Sequence, residues 1–178
     1  MSAWVTILGM VLALDGLRIS TLTPAATPTQ RSVGVVAVAA AAVVVALVAE
    51  PLLDAGDVSP ETFRIGAGLV VAAVGVVRLM IGVGRPYDEV SESTRGLVPV
   101  AFPVALTPEL IAWSASRGVD ALGAALTGLA VAVVVALLTV RLDLSGDRRR
   151  LGDGWVRLAA AGITIVGVVL VIDGIRSV

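Results

Sequence analysis

The stretch Val33–Leu53, VGVVAVAAAAVVVALVAEPLL, runs for 21 residues with a single charge, Glu50, near its end. At about 1.5 Å of rise per residue, an α-helix of that length crosses the ~30 Å hydrocarbon core of a bilayer. Valine favours strands in water, but the alternation of polar and apolar positions that marks a membrane β-barrel strand is missing here. In lipid a helix satisfies every backbone donor and acceptor within its own segment, which overrides β-propensity. The stretch therefore reads as a membrane-spanning helix.

Five further apolar segments flank it. One runs from Ala3 to Leu22 and carries Asp15 and Arg18. The others are Thr62 to Val83, Leu97 to Ser116 with Pro99, Pro103 and Pro108, Ala121 to Val140, and Trp155 to Ile175. The expected fold is all-α, a single transmembrane domain (residues 1–178) of six helices joined by short polar loops. The first apolar run lacks a basic leader region and a small-residue cleavage site, so it is expected to be a retained span. Between the second and third spans, Ser59 followed by Pro60 and Glu61 has the form of a helix start.

Composition agrees. Of 178 residues, 57% are hydrophobic and 15% charged, and the mean hydropathy is +0.99. A water-soluble domain so composed would expose large apolar patches, and six spans leave no length for a separate catalytic domain. Cysteine and histidine are absent, which removes thiolate chemistry, the commonest metal ligand and the usual general base near neutral pH. No metal, no cofactor and no enzymatic activity are expected, and a net charge of −1 gives no footprint for nucleic acid. The lipid bilayer is the obvious partner; homo-oligomerisation is compatible with the sequence.

All 13 cationic residues are arginines. The loops after the first, third and fifth spans hold Arg31, Arg85, Arg95, Arg141, Arg148, Arg149 and Arg150, with Arg78 and Arg157 near the same face. The opposite face holds Arg64, Arg117 and Arg176. The positive-inside bias then puts the odd-numbered loops in the cytoplasm and both termini outside.

The chain also repeats itself. Val74-Gly75-Val76-Val77 recurs as Val166-Gly167-Val168-Val169, and Gly82 recurs as Gly174, both 92 residues on. Leu22-Thr23-Pro24 recurs as Leu106-Thr107-Pro108, 84 residues on. Two three-helix halves, 1–84 and 95–178, are expected, and an odd helix number per half inverts one against the other, as in many secondary transporters.

The first and fourth spans are interrupted, and each carries a carboxylate far from either surface: Asp15 and Glu109. Such residues are functional candidates by default. Asp15 also stands at i, i+3 from Arg18 and can pair with it. Glu109 follows Thr107 and Pro108, which suit an N-cap and first helical residue, so it also suits the positive end of a helix. A half-helix starting within the bilayer presents free N–H groups to an anion, and Thr23 with Pro24 offers the same from the other half. The candidate substrate site is therefore Asp15, Arg18, Thr23, Pro24, Pro103, Thr107, Pro108 and Glu109, with the two carboxylates holding a coupling proton, a sodium ion or a substrate amine. Gly66, Gly68, Gly75, Gly82, Gly162 and Gly167 are expected to let helices approach closely. Arg64, Arg78, Arg157 and Arg176 are expected to snorkel from span ends, and Glu50 and Asp173 to be interfacial charges or a gate.

Thr62-Phe63-Arg64-Ile65-Gly66-Ala67-Gly68-Leu69 resembles a Phe-Arg-Ile-Ala-Gly-Gly segment of the MarC family. Leu97-Val98-Pro99-Val100-Ala101-Phe102-Pro103-Val104 resembles its Pro-Leu-Ala-Ile-Pro run, and Val171-Ile172-Asp173-Gly174-Ile175 its C-terminal ending. The resemblance implies a six-span inner-membrane protein of the LysE-like transporter superfamily, some of whose members are regarded as transporters of small neutral amino acids. The chain departs from the family at both broken spans. Asp15-Gly16-Leu17 lacks the proline of an Asn/Asp-Pro-Leu-Gly motif, and Thr107-Pro108-Glu109 stands where a Gly-Pro-Gly is usual. The expected function is alternating-access transport of a small polar solute; the alternative is a membrane scaffold or subunit with no solute cavity.

Overall fold

The computed structural model describes residues 3–82, 96–142 and 148–178. Arg85 and Arg95 lie outside the described residues. Six α-helices are described: α1 Ala3–Ala13, α2 Gly16–Leu22, α3 Pro28–Ala55, α4 Pro60–Ile81, α5 Pro108–Thr139 and α6 Arg148–Ser177. Gly96–Ala105 is a wide helical coil interrupted at Val98 (φ −127°, ψ 123°) and Phe102 (φ −128°, ψ 130°). No strand occurs among the described residues.

Local chemistry sets the boundaries. Thr27 and Gln30 form a capping box that spans Pro28 at the first helical position, so the Thr27 and Gln30 amides at the start of α3 are satisfied. Ser59 accepts from the Thr62 amide ahead of Pro60, the start expected for α4. Five helical stretches are long and apolar enough to cross a membrane: Ala3–Leu22 (α1 and α2 together), Pro28–Ala55, Pro60–Ile81, Pro108–Thr139 and Arg150–Ser177. The chain is thus an all-helical, multi-pass membrane protein. Its helices are apolar outside as well as inside: Val36, Val44, Leu47 and Leu52 of α3 are exposed, whereas Val35, Val38 and Ala42 on the same helix are buried, as expected when lipid is the solvent.

The expected fourth span, Leu97 to Ser116, is not one helix. It is divided between the Gly96–Ala105 coil and the start of α5. Nor is α5 one straight rod. At 32 residues it would be about 48 Å long. Yet Glu109 near its start pairs with Arg78, which also feels the charge of Asp15. Near its other end, Ala136 lies so close to Gly16 that a Cβ there would come within 2.9 Å of its Cα. Both ends of α5 therefore approach the Asp15–Gly16 break, and the helix doubles back at Ala121 (φ −164°, ψ 78°). Its two arms are residues 108–120 and 122–139.

α4 and α6 form the largest helix–helix interface, and they run antiparallel. A Cβ added to Gly75 would meet the Thr164 amide nitrogen at 2.8 Å, and one on Gly167 would meet Ala72 Cα at 2.9 Å. A Cβ on Gly82 would meet the Arg157 guanidinium at 3.0 Å, and one on Gly174 would meet Ile65 N at 3.2 Å. At Gly75, Gly167 and Gly174 glycine is required because backbone sits against backbone, the close approach that membrane helices use in place of a hydrophobic drive; at Gly82 the neighbours are side chains and the backbone has φ +71°. Gly66, with the same sequence expectation, faces open space, with nothing within 4 Å.

The other extensive contacts, α3 with α5, α1 with α5, α3 with the Gly96–Ala105 coil, and α4 with α5, also join the first part of the chain to the second. Among the helices of residues 3–82, the contact between α2 and α3 is small.

Candidate functional site: a buried guanidinium between two carboxylates

The first span breaks where Asp15 turns extended (φ −67°, ψ 97°) and its carboxylate accepts from the amides of Leu17 (3.1 Å) and Arg18 (3.2 Å). This is an N-cap set inside a membrane span: the acid satisfies α2's orphan donors and lies at its positive end. The second carboxylate lies on the equivalent step of α5. Thr107 occupies the N-cap position (φ −106°, ψ 150°), Pro108 opens the helix, and Glu109 stands in the first turn. Thr107 does not cap, however. Its hydroxyl, in a residue 3% exposed, has no hydrogen-bond partner among the described residues.

Arg78 of α4 joins the two. Its guanidinium forms an ion pair with Glu109, which is fully buried, and lies close enough to Asp15 for their charges to interact. Trp155 of α6 also lies near Asp15. Four helices thus converge on one cluster of alternating charge. Removing one member of a buried pair strands the other, at a cost of about 3–5 kcal/mol. Arg18 also lies near enough to Asp15 for their charges to interact, so two guanidiniums face the two carboxylates.

The placement of the expected site residues is uneven. Asp15 and Glu109 converge, with Thr107 beside Glu109. Thr23 does not join them. It closes the C-terminus of α2, its hydroxyl donating to Ile19 O at 2.6 Å, about 12 Å of helix away from Asp15. The Leu-Thr-Pro match is therefore not a structural equivalence: Leu22-Thr23-Pro24 ends one helix and Leu106-Thr107-Pro108 begins another. Pro24 and Pro103 are exposed rather than lining the cluster; Pro103 follows a cis peptide bond. Pro108 faces an apolar cavity of about 650 Å³ between α4 and α5, with Phe63, Ala67 and Ile111. Arg18 meets Asp15 through its backbone amide, and its guanidinium donates to Val104 O at 3.0 Å.

Three arginines do other work than expected. Arg78 does not snorkel: only 8% exposed, it is paired in the cluster. Arg31, read as a loop charge, is buried and donates to Thr23 O (2.9 Å) and Val140 O (3.2 Å), so one cation serves the C-terminal ends of α2 and α5. Arg64 is fastened to Asp120 by two hydrogen bonds.

Asp120 centres a second charged cluster. Arg117 Nη1 pairs with Asp120 at 2.7 Å, while Arg64 Nη1 bonds Ser177 Oγ at 2.8 Å and lies 3.5 Å from Asp173. These side chains and Arg176 line an open cavity of about 450 Å³. Arg117 Nε also bonds Thr6 Oγ1 at 3.1 Å, so residues 6 and 177 belong to the same end of the molecule. The i, i+3 spacing of Arg117 and Asp120 was the available sequence signal for this cluster. Among the described residues no group of three or more acidic residues is arranged to hold a metal ion.

No protein-family profile, curated protein or solved structure matches the chain. The likeness to the MarC family rests on the three quoted motifs alone.

Proposed function

We propose that the chain is a secondary transporter of a small polar solute, with Asp15, Arg78 and Glu109 as its central site. The observation that carries the reading is a buried Arg78 set between two carboxylates, each in the opening turn of a helical arm that begins within a membrane span. A buried charge cluster is expensive in lipid and is characteristic of ion and solute pathways. Arg78 suits a carboxylate; Asp15 and Glu109 suit an ammonium group, a proton or sodium. A small neutral amino acid offers both ends, and the MarC-like motifs lean the same way.

On this reading the chain crosses the plasma membrane six times as two inverted halves, with both ends outside. Three features support it. The arms of α5 run in opposite directions, supplying the fourth and fifth crossings. Contacts between α4 and α6 are reciprocal at an offset of 92 residues: Gly75 meets Thr164 and Gly167 meets Ala72, Gly82 meets Arg157 and Gly174 meets Ile65. The same offset relates Asp15 to Thr107, the two residues that precede the inner arms.

The alternative, a scaffold without a solute cavity, is favoured by the complete burial of Glu109. Counterflow of radiolabelled alanine and glycine in proteoliposomes separates the two. Saturable exchange that falls at least tenfold in Glu109→Gln, with folded protein retained, is the expected result. No exchange by the parent protein, or full exchange by the variant, would sink the transport reading or the role of Glu109.

A further inference from the structure

Glu109, Ser116 and Asp120 lie on one face of the first arm of α5, at i, i+7 and i+11; at 100° per residue they fall within about 40° of one another. Asp120 opens onto the 450 Å³ charged cavity. Glu109 is at the other end of the stripe, about 16 Å deeper. Between them Ser116, only 2% exposed, has a hydroxyl with no hydrogen-bond partner among the described residues, and the same holds for Thr107 Oγ1 and Glu109 Oε2. Buried hydroxyls are nearly always bonded, and an orphan calls for a partner such as an internal water. Ordinary packing leaves this one unexplained: Ser114, two residues earlier, reaches Met10 Sδ at 3.8 Å, and the Trp113 indole donates to Thr6 O at 3.3 Å.

We infer that this face of α5 carries a hydrated access path from the Asp120 cavity to Glu109, along which water, and with it the coupling proton, reaches the central site. Ser116 is its midpoint station and Thr107 its inner end. Trp113 stands between them, packed so tightly on α1 that a Cβ on Gly9 would fall 2.5 Å from its ring; it is the narrow point. The inference rests on the transporter reading for its purpose but not for its existence.

The chain has no cysteine, so single cysteines report water directly, because only a hydrated thiol ionises and reacts. Ser116→Cys, Thr107→Cys and two equally buried controls, Ala125→Cys and Ala132→Cys, are compared in sealed vesicles. The vesicles are oriented so that a cysteine at Ser59 is labelled by a small cationic methanethiosulfonate added outside. Ser116→Cys should react at least tenfold faster than either control, and Thr107→Cys more slowly than Ser116→Cys but still above the controls. Reaction at Ser116 with none at Thr107 would overturn the connection to Glu109. Reaction at neither would overturn the path. A labelled Ser116→Cys in a protein that exchanges no solute keeps the path and removes its purpose. An unlabelled one in an active transporter removes the path alone.

Discussion

The charge of Glu109 is tolerated only because Arg78 faces it, and that dependence is measurable. Arg78→Met leaves a buried carboxylate unpaired and should destabilise the fold by about 3–5 kcal/mol. Arg78→Met combined with Glu109→Leu, which removes both charges, should recover most of that loss. The temperature at which purified protein loses monodisperse elution in detergent checks both. An additive, worse double variant would mean the pair is not coupled. The carboxylates were legible from the sequence because their depth in a span is counted along the chain. Their guanidinium was not. Arg78 sits one turn from the end of its span, where a snorkelling arginine and a paired one have the same sequence signature, and the choice between them depends on which helix packs alongside. Thr23 misled for a related reason: a Thr-Pro step looks alike whether it closes a helix or opens one.

Among the helices, the α4–α6 contact is the most exacting. Gly75→Val would drive a branched side chain into the backbone of α6, where the Thr164 amide already lies 2.8 Å from an added Cβ. A cost of about 1–3 kcal/mol is expected for such overpacking. Gly66→Val, facing open space, should stay within about 0.5 kcal/mol of the parent. Thermal unfolding of the two variants side by side tests the assignment, and equal losses would contradict it. From the sequence both positions are simply glycines in a valine-rich span. The 92-residue echo singled out Gly75 but gave no reason why it mattered. Helix starts fared better, since Ser59-Pro60 carries its own capping chemistry. The break at Ala121 has no local signal: alanine is the best helix former, and the reversal there is imposed by what the two arms pack against.

For the molecule as a whole, arginine counting makes a testable statement. Thr29 and Ser59, both exposed, stand at opposite ends of the α3–α4 pair, Thr29 in the first turn of α3 and Ser59 at the cap of α4. In intact cells a cysteine at Ser59 should react with an impermeant thiol reagent, and one at Thr29 should be shielded. The reverse pattern would invert the orientation. Membrane class and helical fold were plain from hydropathy, because a bilayer imposes span length and backbone satisfaction on any sequence. The way the spans interlock was not, since lipid-facing and buried positions are both apolar and periodicity cannot say which faces meet.

That interlocking bears on how the protein is made. The helices of residues 3–82 find nearly all their neighbours in the later part of the chain, and Glu109 is synthesised 31 residues after Arg78. While the ribosome is still translating, the leading helices enter the bilayer with Arg78 still lacking Glu109 and with the glycine face of α4 uncovered. Insertion and folding are therefore separated in time. The face of α4 that α6 covers stays open until α6, the last helix made, has emerged.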